Sequence, residues 1–552
     1  MAERPTEEGP RPAEVPHDAA FGELGSTVAV DDGAARLDRA ADGSALVAPS
    51  VPVAKKTALT GLLLAALLAL PYAHGSLERL RTLSEGVSFF PQEEAAQARI
   101  EGPVDQVGEA ALPGATDDQS ARGDELEAAP KDTRGTIAGA ERTLPIPASV
   151  AEDKPPCAID DDTGGKALAH FFDRLIEVEQ KRPGAVARIV YFGDSIIASD
   201  FVTGKLRRLL QSRFGDAGHG YAIVANAYPG WFHIDVARKS SDQWKTSRCI
   251  GPYAEDGLYG LGCVSFTARK PNEWFAMGTT DRDKWGNRVS RFELEYLAQP
   301  GGGEVAFELD GSPHSTLSTD GPEKRVRHHT IAVPDGPHKL KVSTTSDKPT
   351  RLFGMRMERD EPGVSLTALG MTGGRARFLD KQDDAHWAEV LKASKADLVV
   401  LAFGSNEVGD GRMAFDDKGQ LSKDPMGDYE RNLEAVMRQV REALPETSVL
   451  IVGPPDMASK RADEGHSKSM VPVLIKHQQN VAKKLGWAFW NQFKAMGGSG
   501  SMWSWVQSGL GNSDLIHPTG AGANVLGKMG YLALMQAYEA HKAARAKAGA
   551  GR

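Results

Sequence analysis

The stretch ARIVYFGDSIIASD, Ala187–Asp200, decides how the rest of the chain is read. Its first half, Ile189 to Phe192, is continuously apolar, as expected of a strand buried on both faces of a parallel sheet. It breaks at Gly193-Asp194-Ser195, and DFVTGKLRRLLQSRF then follows with helical periodicity from an Asp cap at Asp200. A strand that ends in a tight polar turn and enters a helix is one half of an open α/β unit, and such sheets carry their sites at the C-terminal strand ends.

The pattern recurs downstream. ADLVVLAFG (Ala396–Gly404), SVLIVG (Ser448–Gly453) and WAFW (Trp487–Trp490) read as further buried strands, separated by DYERNLEAVMRQVREAL and VPVLIKHQQNVAKKLG as helices. A last helix is expected over roughly Gly520–Ala540. This alternation predicts a parallel sheet covered by helices on both sides. Between Trp231 and Pro362 the period changes to two: RFELEYL, EVAFELDG, VRHHTIAVPDG, HKLKVSTT and TRLFGMRME alternate apolar and polar residues between Gly, Pro, Asp and Ser turns. That segment reads as an inserted antiparallel β-sandwich.

The N-terminal part has a different texture. Residues 1–54 are rich in Ala, Pro, Glu, Asp and Gly and read as a disordered tail. Residues 55–74 hold Lys55-Lys56 and a charge-free run, Thr57–Ala73, at the lower limit of about 17 residues for a bilayer-spanning helix. It is expected to be an uncleaved anchor in the membrane or a cleaved signal segment; either would export the remainder. Residues 75–162, again acidic and rich in Ala, Gly and Pro, read as a disordered spacer. The catalytic unit is then expected over 163–230 and 363–545, the β-insert over 231–362, and a basic tail over 546–552.

The chain has 552 residues and a net charge of −9, which argues against nucleic acid as a partner. Its three cysteines have no metal-site spacing. Cys249 and Cys263 are near enough in sequence to bridge a loop in an oxidising compartment, or to remain two thiols; Cys157 is left over.

Three strand-end loops carry unusual polar residues: Gly193-Asp194-Ser195, GSNE (Gly404–Glu407) and DLIHPTGAG (Asp514–Gly522). A serine hydroxyl needs a base, and the base needs a partner that fixes its tautomer. Ser195, His517 and Asp514 supply those groups, with the three-residue spacing letting Asp514 reach the imidazole. An oxyanion needs donors: the Ser195 N–H, the Asn406 side-chain amide, and a backbone N–H from LGMTGG (Leu369–Gly374).

In this order the blocks GDS, LGMTGG, GSNE and DLIHP resemble the SGNH/GDSL hydrolase family. Membership implies a flavodoxin-like three-layer α/β/α fold, a triad of Ser195, His517 and Asp514, and an oxyanion hole of Ser195, Gly373 and Asn406. It implies no metal and no cofactor. Glu407 stands where the family usually has Asp, and Ile196 where the name-giving motif has Leu; Gly370 and Gly374 flank the oxyanion glycine. The layout, with a β-sandwich between the serine and glycine blocks, looks like exported members that act on O-acetyl groups of cell-wall polysaccharides. The expected activity is removal of O-acetyl groups from a polysaccharide, peptidoglycan first, in the cell envelope or periplasm, with the insert a carbohydrate-binding or merely structural module. The alternatives are O-acetyl transfer, a lipase or thioesterase activity, and glycan binding without catalysis.

Trp503 and Trp505 are candidates for a sugar-stacking wall or for core packing. Asp456 is a second candidate for site chemistry, and His219 and His233 could border the site. His328 and His329, adjacent on one strand, point to opposite faces and make a poor metal pair.

Overall fold

The computed structural model describes residues 146–228, 230, 231, 233–409, 425–458 and 467–550. The tail, the Thr57–Ala73 run and the spacer up to residue 145 lie outside the described residues. Among the described residues, no helix is long and apolar enough to cross a membrane.

Five parallel strands form the central sheet, in the spatial order Gly363–Gly370, Val186–Gly193, Leu398–Ala402, Ser448–Val452 and Ala488–Trp490. The alternation along the opening stretch sorts its side chains into two layers. Ile189 and Tyr191 join a core with helices Ala169–Glu179, Phe201–Phe214 and Gly520–Ala550. Val190 and Phe192 point the other way, into a core with helices Asp384–Ser394, Pro425–Ala443 and Met470–Leu485. The result is the expected three-layer α/β/α arrangement, and the strand reads as a continuous apolar run because both its faces are covered.

The interruption is two antiparallel sheets. One is ordered Arg325–Gly336, Val289–Ala298, Thr350–Glu358, Val264–Ala268, Lys245–Arg248; the other Ala237–Ser240, Trp274–Gly278, Lys339–Thr344, Glu304–Leu309, Ser312–Ser318. Strand Gly220–Ile223 also pairs with Thr350–Glu358. By pairing, therefore, the insert begins at Gly220 and not at residue 231; GYAI is too short and uniformly apolar to be assigned to either unit from sequence. The insert is fastened to the central sheet by charge. Glu358 is buried and receives Arg188 of the central strand through Nε and Nη2, both at 2.9 Å, and Arg291 at 2.8 Å. Burial by itself would raise this carboxyl, but the guanidiniums outweigh it and hold it at about 2.

Three further sequence expectations change. The end of the supposed spacer is folded: Val150 is buried in a short helix, Ala148–Ala151, and Asp160 bridges antiparallel to Phe489. That bridge covers the edge strand Ala488–Trp490, which explains why a polar, Pro-rich segment is ordered. The final helix continues to Ala550, so residues 546–550 belong to it rather than to a separate tail. Asp200 does not cap its helix with its side chain. It sits at φ +56° and its carboxylate takes Arg207 on both oxygens (3.2 and 2.8 Å), Thr203 Oγ1 and the Ile234 N–H. A fully buried guanidinium demanded that partner more strongly than the helix end did.

Candidate active site

The opening turn is built for close approach. A Cβ on Gly193 would stand 2.4 Å from Ile197 Cγ1 and 3.0 Å from the Ala402 carbonyl oxygen, so glycine is required by packing here. Asp194 then caps the one-turn helix Ser195–Ala198 by accepting the Ile196 N–H at 3.1 Å. This fixes Ser195 at the sheet's C-terminal edge.

His517 arrives from the loop before the last helix. Ser195 Oγ lies 2.8 Å from His517 Nε2, and His517 Nδ1 lies 2.7 Å from Asp514 Oδ2. The other Asp514 oxygen accepts the backbone N–H groups of Ile516 (2.9 Å) and His517 (3.0 Å). That turn requires Leu515 at φ +63°, an unfavourable backbone for a branched residue; its side chain is buried and its carbonyl accepts the Ala458 N–H at 2.9 Å. Burial would raise the Asp514 carboxyl, but the His517 ring and the two backbone donors overcome it and hold it at about 2. The hydrogen bond that His517 donates to Asp514 in turn raises His517 above its ordinary value, against the opposing effect of burial. With Asp514 anionic, Nδ1 carries the proton and Nε2 is left to accept from Ser195.

The other two loops converge on the same edge. Asp194 Oδ2 accepts the Ser405 N–H at 3.2 Å, tying the serine turn to GSNE. Asn406 Nδ2 donates to the Gly374 carbonyl at 2.9 Å. A primary amide has two N–H groups, so a second one remains for a substrate. Gly373 is exposed at φ +78°, and a Cβ placed on it would meet nothing within 4 Å. Gly370 is packed out of reach, because a Cβ there would stand 2.0 Å from the Ala198 nitrogen.

These observations agree with sequence comparison. Residues 341–525 match the GDSL-like Lipase/Acylhydrolase family. The matched segment, which holds the glycine block, GSNE and DLIHP, belongs to that family. The chain is a serine ester hydrolase. This GDSL-like domain and its insert are also similar to a solved structure described as "Peptidoglycan O-acetylesterase in action, 5 min", at 24% identity and a TM-score of 0.58, over 69% of this chain and 99% of that one. A family two carbohydrate esterase from Cellvibrio japonicus aligns over 55% of this chain and 98% of its own at 10% identity, with a TM-score of 0.23. Comparison with curated proteins finds no match.

The remaining candidates are placed differently within this GDSL-like domain. Trp505 is 0% exposed in the core beneath the last helix, which corrects its assignment to a sugar-facing wall. Trp503 is half-buried against the same core. Helix Ser501–Gln507 buries Ser501 and Trp505, an i and i+4 pair, so nearness to Asp514 in sequence does not bring Trp505 to the surface. Asp456 is buried and accepts the Met502 N–H at 2.8 Å and Ser501 Oγ at 3.3 Å, so it anchors that helix. His219 and His233 are buried rather than on the rim, 3.2 Å apart through Nε2 and Nδ1.

With Asp200 the two histidines form the one cluster of metal-ligand type among the described residues. Burial first, and the nearby Arg207 and Arg238 next, push both imidazoles well below their usual range. Neutral imidazoles suit a metal, but Asp200 is already neutralised by Arg207, and two guanidiniums disfavour a cation. Its one ion pair is Asp200 with Arg207, beside two neutral imidazoles. His328 meets Glu295 at 3.3 Å while His329 stacks on Phe307, so those neighbours do part to opposite faces.

Proposed function

We propose that the chain is an exported serine esterase that removes O-acetyl groups from a cell-wall polysaccharide, with peptidoglycan as the polymer. The observation that carries this reading is the unbroken hydrogen-bond chain Ser195–His517–Asp514 at the C-terminal edge of the sheet. Three further features support it. The similar solved structure is titled a peptidoglycan O-acetylesterase and is matched over nearly its whole length. The antiparallel insert lies between the serine and glycine blocks. The Cys249–Cys263 disulfide fits an oxidising compartment.

In this mechanism Ser195 Oγ attacks the acetyl carbonyl carbon while its proton passes to His517 Nε2. The oxyanion is met by the N–H groups of Ser195 and Gly373 and by the second Asn406 amide proton. Collapse breaks the bond to the sugar oxygen, which takes the proton from His517 Nε2 as it leaves. Water, deprotonated by His517, then attacks the acetyl-Ser195 ester, and acetate departs as Ser195 recovers its proton. Because His517 must be neutral to start, activity falls as the pH drops through its raised value.

The test is acetate release from O-acetylated peptidoglycan by the full chain and by Ser195→Ala. Release by the wild type alone supports the reading. Equal release by the variant, or strong activity only on long-chain esters, refutes it.

A further inference from the structure

Two buried carboxyls lie behind the candidate oxyanion groups: Asp194, 2% exposed, and Glu407, 3% exposed. Both oxygens of Asp194 are used, on the Ile196 and Ser405 N–H groups. Glu407, on the same short helix as Ser405 (Ser405–Gly409), reaches the opposite way. Its Oε1 accepts the Ala376 N–H at 3.2 Å, and Ala376 follows directly on Gly373-Gly374-Arg375. Two more bonds run across the same gap, from Asn406 Nδ2 to the Gly374 carbonyl at 2.9 Å and from Arg375 Nη2 to the Asn406 carbonyl at 3.0 Å. The serine turn, the Asn406 loop and the glycine turn are therefore joined in series, with one buried carboxyl at each junction.

Packing does not hold the last member of that series at its tip, since Gly373 is exposed with nothing near its Cα on the side-chain side. Its place depends on the hydrogen bonds at its base. Glu407 is an expensive way to make one of them. Its Oε2 has no hydrogen-bond partner among the described residues, and a buried polar atom left so costs about 1–3 kcal/mol. The groups facing it are Asp194 from the serine turn, Arg375 and Arg377 from the glycine segment, and Tyr429 from helix Pro425–Ala443. Burial, and then the Asp194 charge, lift its carboxyl to about 7. A side chain needed only to fill this space would be apolar.

We propose that Glu407 is a positioning residue for the oxyanion site: its buried acceptor oxygen holds the Gly373 turn at the distance from Asn406 at which both donors meet one substrate oxygen. The inference rests on the reading of Gly373 and Asn406 as oxyanion donors.

The test is steady-state kinetics of the full chain on p-nitrophenyl acetate. Glu407→Gln keeps an acceptor without the charge and should hold kcat within about threefold. Glu407→Leu fills the space without an acceptor; a donor displaced by about 1 Å costs on the order of a hundredfold, so kcat should fall about 10- to 100-fold with KM within about threefold. In an Asn406→Ala background the same change should cost less than about threefold, because the hole is already broken.

Ala376→Pro removes the same bond from the donor side. It suits the first position of the 3-10 helix Ala376–Lys381, since Arg375 is extended at φ −127°, ψ 149°. It should repeat the loss in kcat, and it decides the matter if Glu407→Leu does not fold. Near wild-type kcat in Glu407→Leu or, where that variant does not fold, in Ala376→Pro overturns the proposal. So does an undiminished loss in the Asn406→Ala background, or a loss in Glu407→Gln as large as in Glu407→Leu. If Asn406→Ala alone retains wild-type kcat, the oxyanion reading fails and the proposal fails with it. If Asn406→Ala is impaired and the Glu407 effect is additive, the proposal alone fails.

Discussion

Replacing Asp514 by asparagine removes the charge of the third member of the hydrogen-bond chain. The side chain keeps its size and can still accept the Ile516 and His517 backbone N–H groups. What it loses is the acceptor facing Nδ1 and a negative charge beside the imidazolium formed as Ser195 gives up its proton. The contact is 2.7 Å, which puts the charge centres about 3–4 Å apart. Asp514 and His517 are each exposed by more than a third, so solvent screens the pair. An effective dielectric of about 40, between the surface and bulk-water values, gives about 2–3 kcal/mol. Taken from the transition state, the charge alone is worth about 30- to 150-fold in kcat/KM, and this is the minimum loss, because an amide donor facing Nδ1 also disfavours the Nδ1–H tautomer. Because Asp514 is the largest cause of the raised His517 value, the acidic limb of the pH profile should also move to lower pH. The assay is kcat/KM for p-nitrophenyl acetate from pH 5 to 9, for wild type and variant. A loss under about threefold with an unmoved acidic limb would refute the role given to Asp514.

Other consequences concern stability. Glu358→Gln leaves Arg188, Arg291 and Arg356 around a neutral group and should cost about 3–5 kcal/mol in urea unfolding. With the native carboxyl at about 2, its contribution is complete above about pH 4.5 and is lost as the pH falls toward 2; a variant with unchanged acid sensitivity counts against the network. Two glycines of the last helix should respond oppositely to alanine. A Cβ at Gly530 meets Trp490 at an ordinary 3.5 Å and should add about 1 kcal/mol through helix propensity, whereas one at Gly527 meets the Val202 carbonyl at 2.5 Å and should cost about 1–3 kcal/mol. Shifts of the same sign in thermal unfolding would contradict this packing. Cys249→Ser with Cys263→Ser opens a loop with a sequence separation of 14 and should cost about 3 kcal/mol; dithiothreitol should destabilise the wild type and leave the double variant unmoved.

Much of the architecture is legible because it is written in local periodicity. Four of the five central strands carry an apolar run of three or more residues, as a strand buried on both faces must. The exception is Gly363–Gly370, GVSLTALG, whose small and hydroxylated residues at the sheet edge make no such run, although its glycine-rich end stands out as a site block. The candidate triad residues are legible because they stand at a strand end and before a helix, in the two short motifs GDS and DLIHP, and chemistry restricts which residue types can serve. Trp503 and Trp505 are not legible as a pair, since aromatic residues near a site are alike in sequence whether they face a sugar or a core.

What only the tertiary structure decided are the partnerships of buried polar groups. Asp200 looks like a helix cap until Arg207 is seen beneath it, and Asp456 looks like a rim carboxylate until helix Ser501–Gln507 is seen resting on it. Asp194 and Glu407 are ordinary turn residues in the strings GDS and GSNE; folding makes them the junctions between three loops. Their partners, Ser405 for Asp194 and Ala376 for Glu407, contribute only a backbone N–H, and every residue type but proline offers that group. A side chain that binds backbone therefore leaves no mark at its partner's position in the sequence. The chemistry at the surface of this site is spelled by residue identity, while the frame that holds it is spelled by proximity, which exists only once the chain has folded.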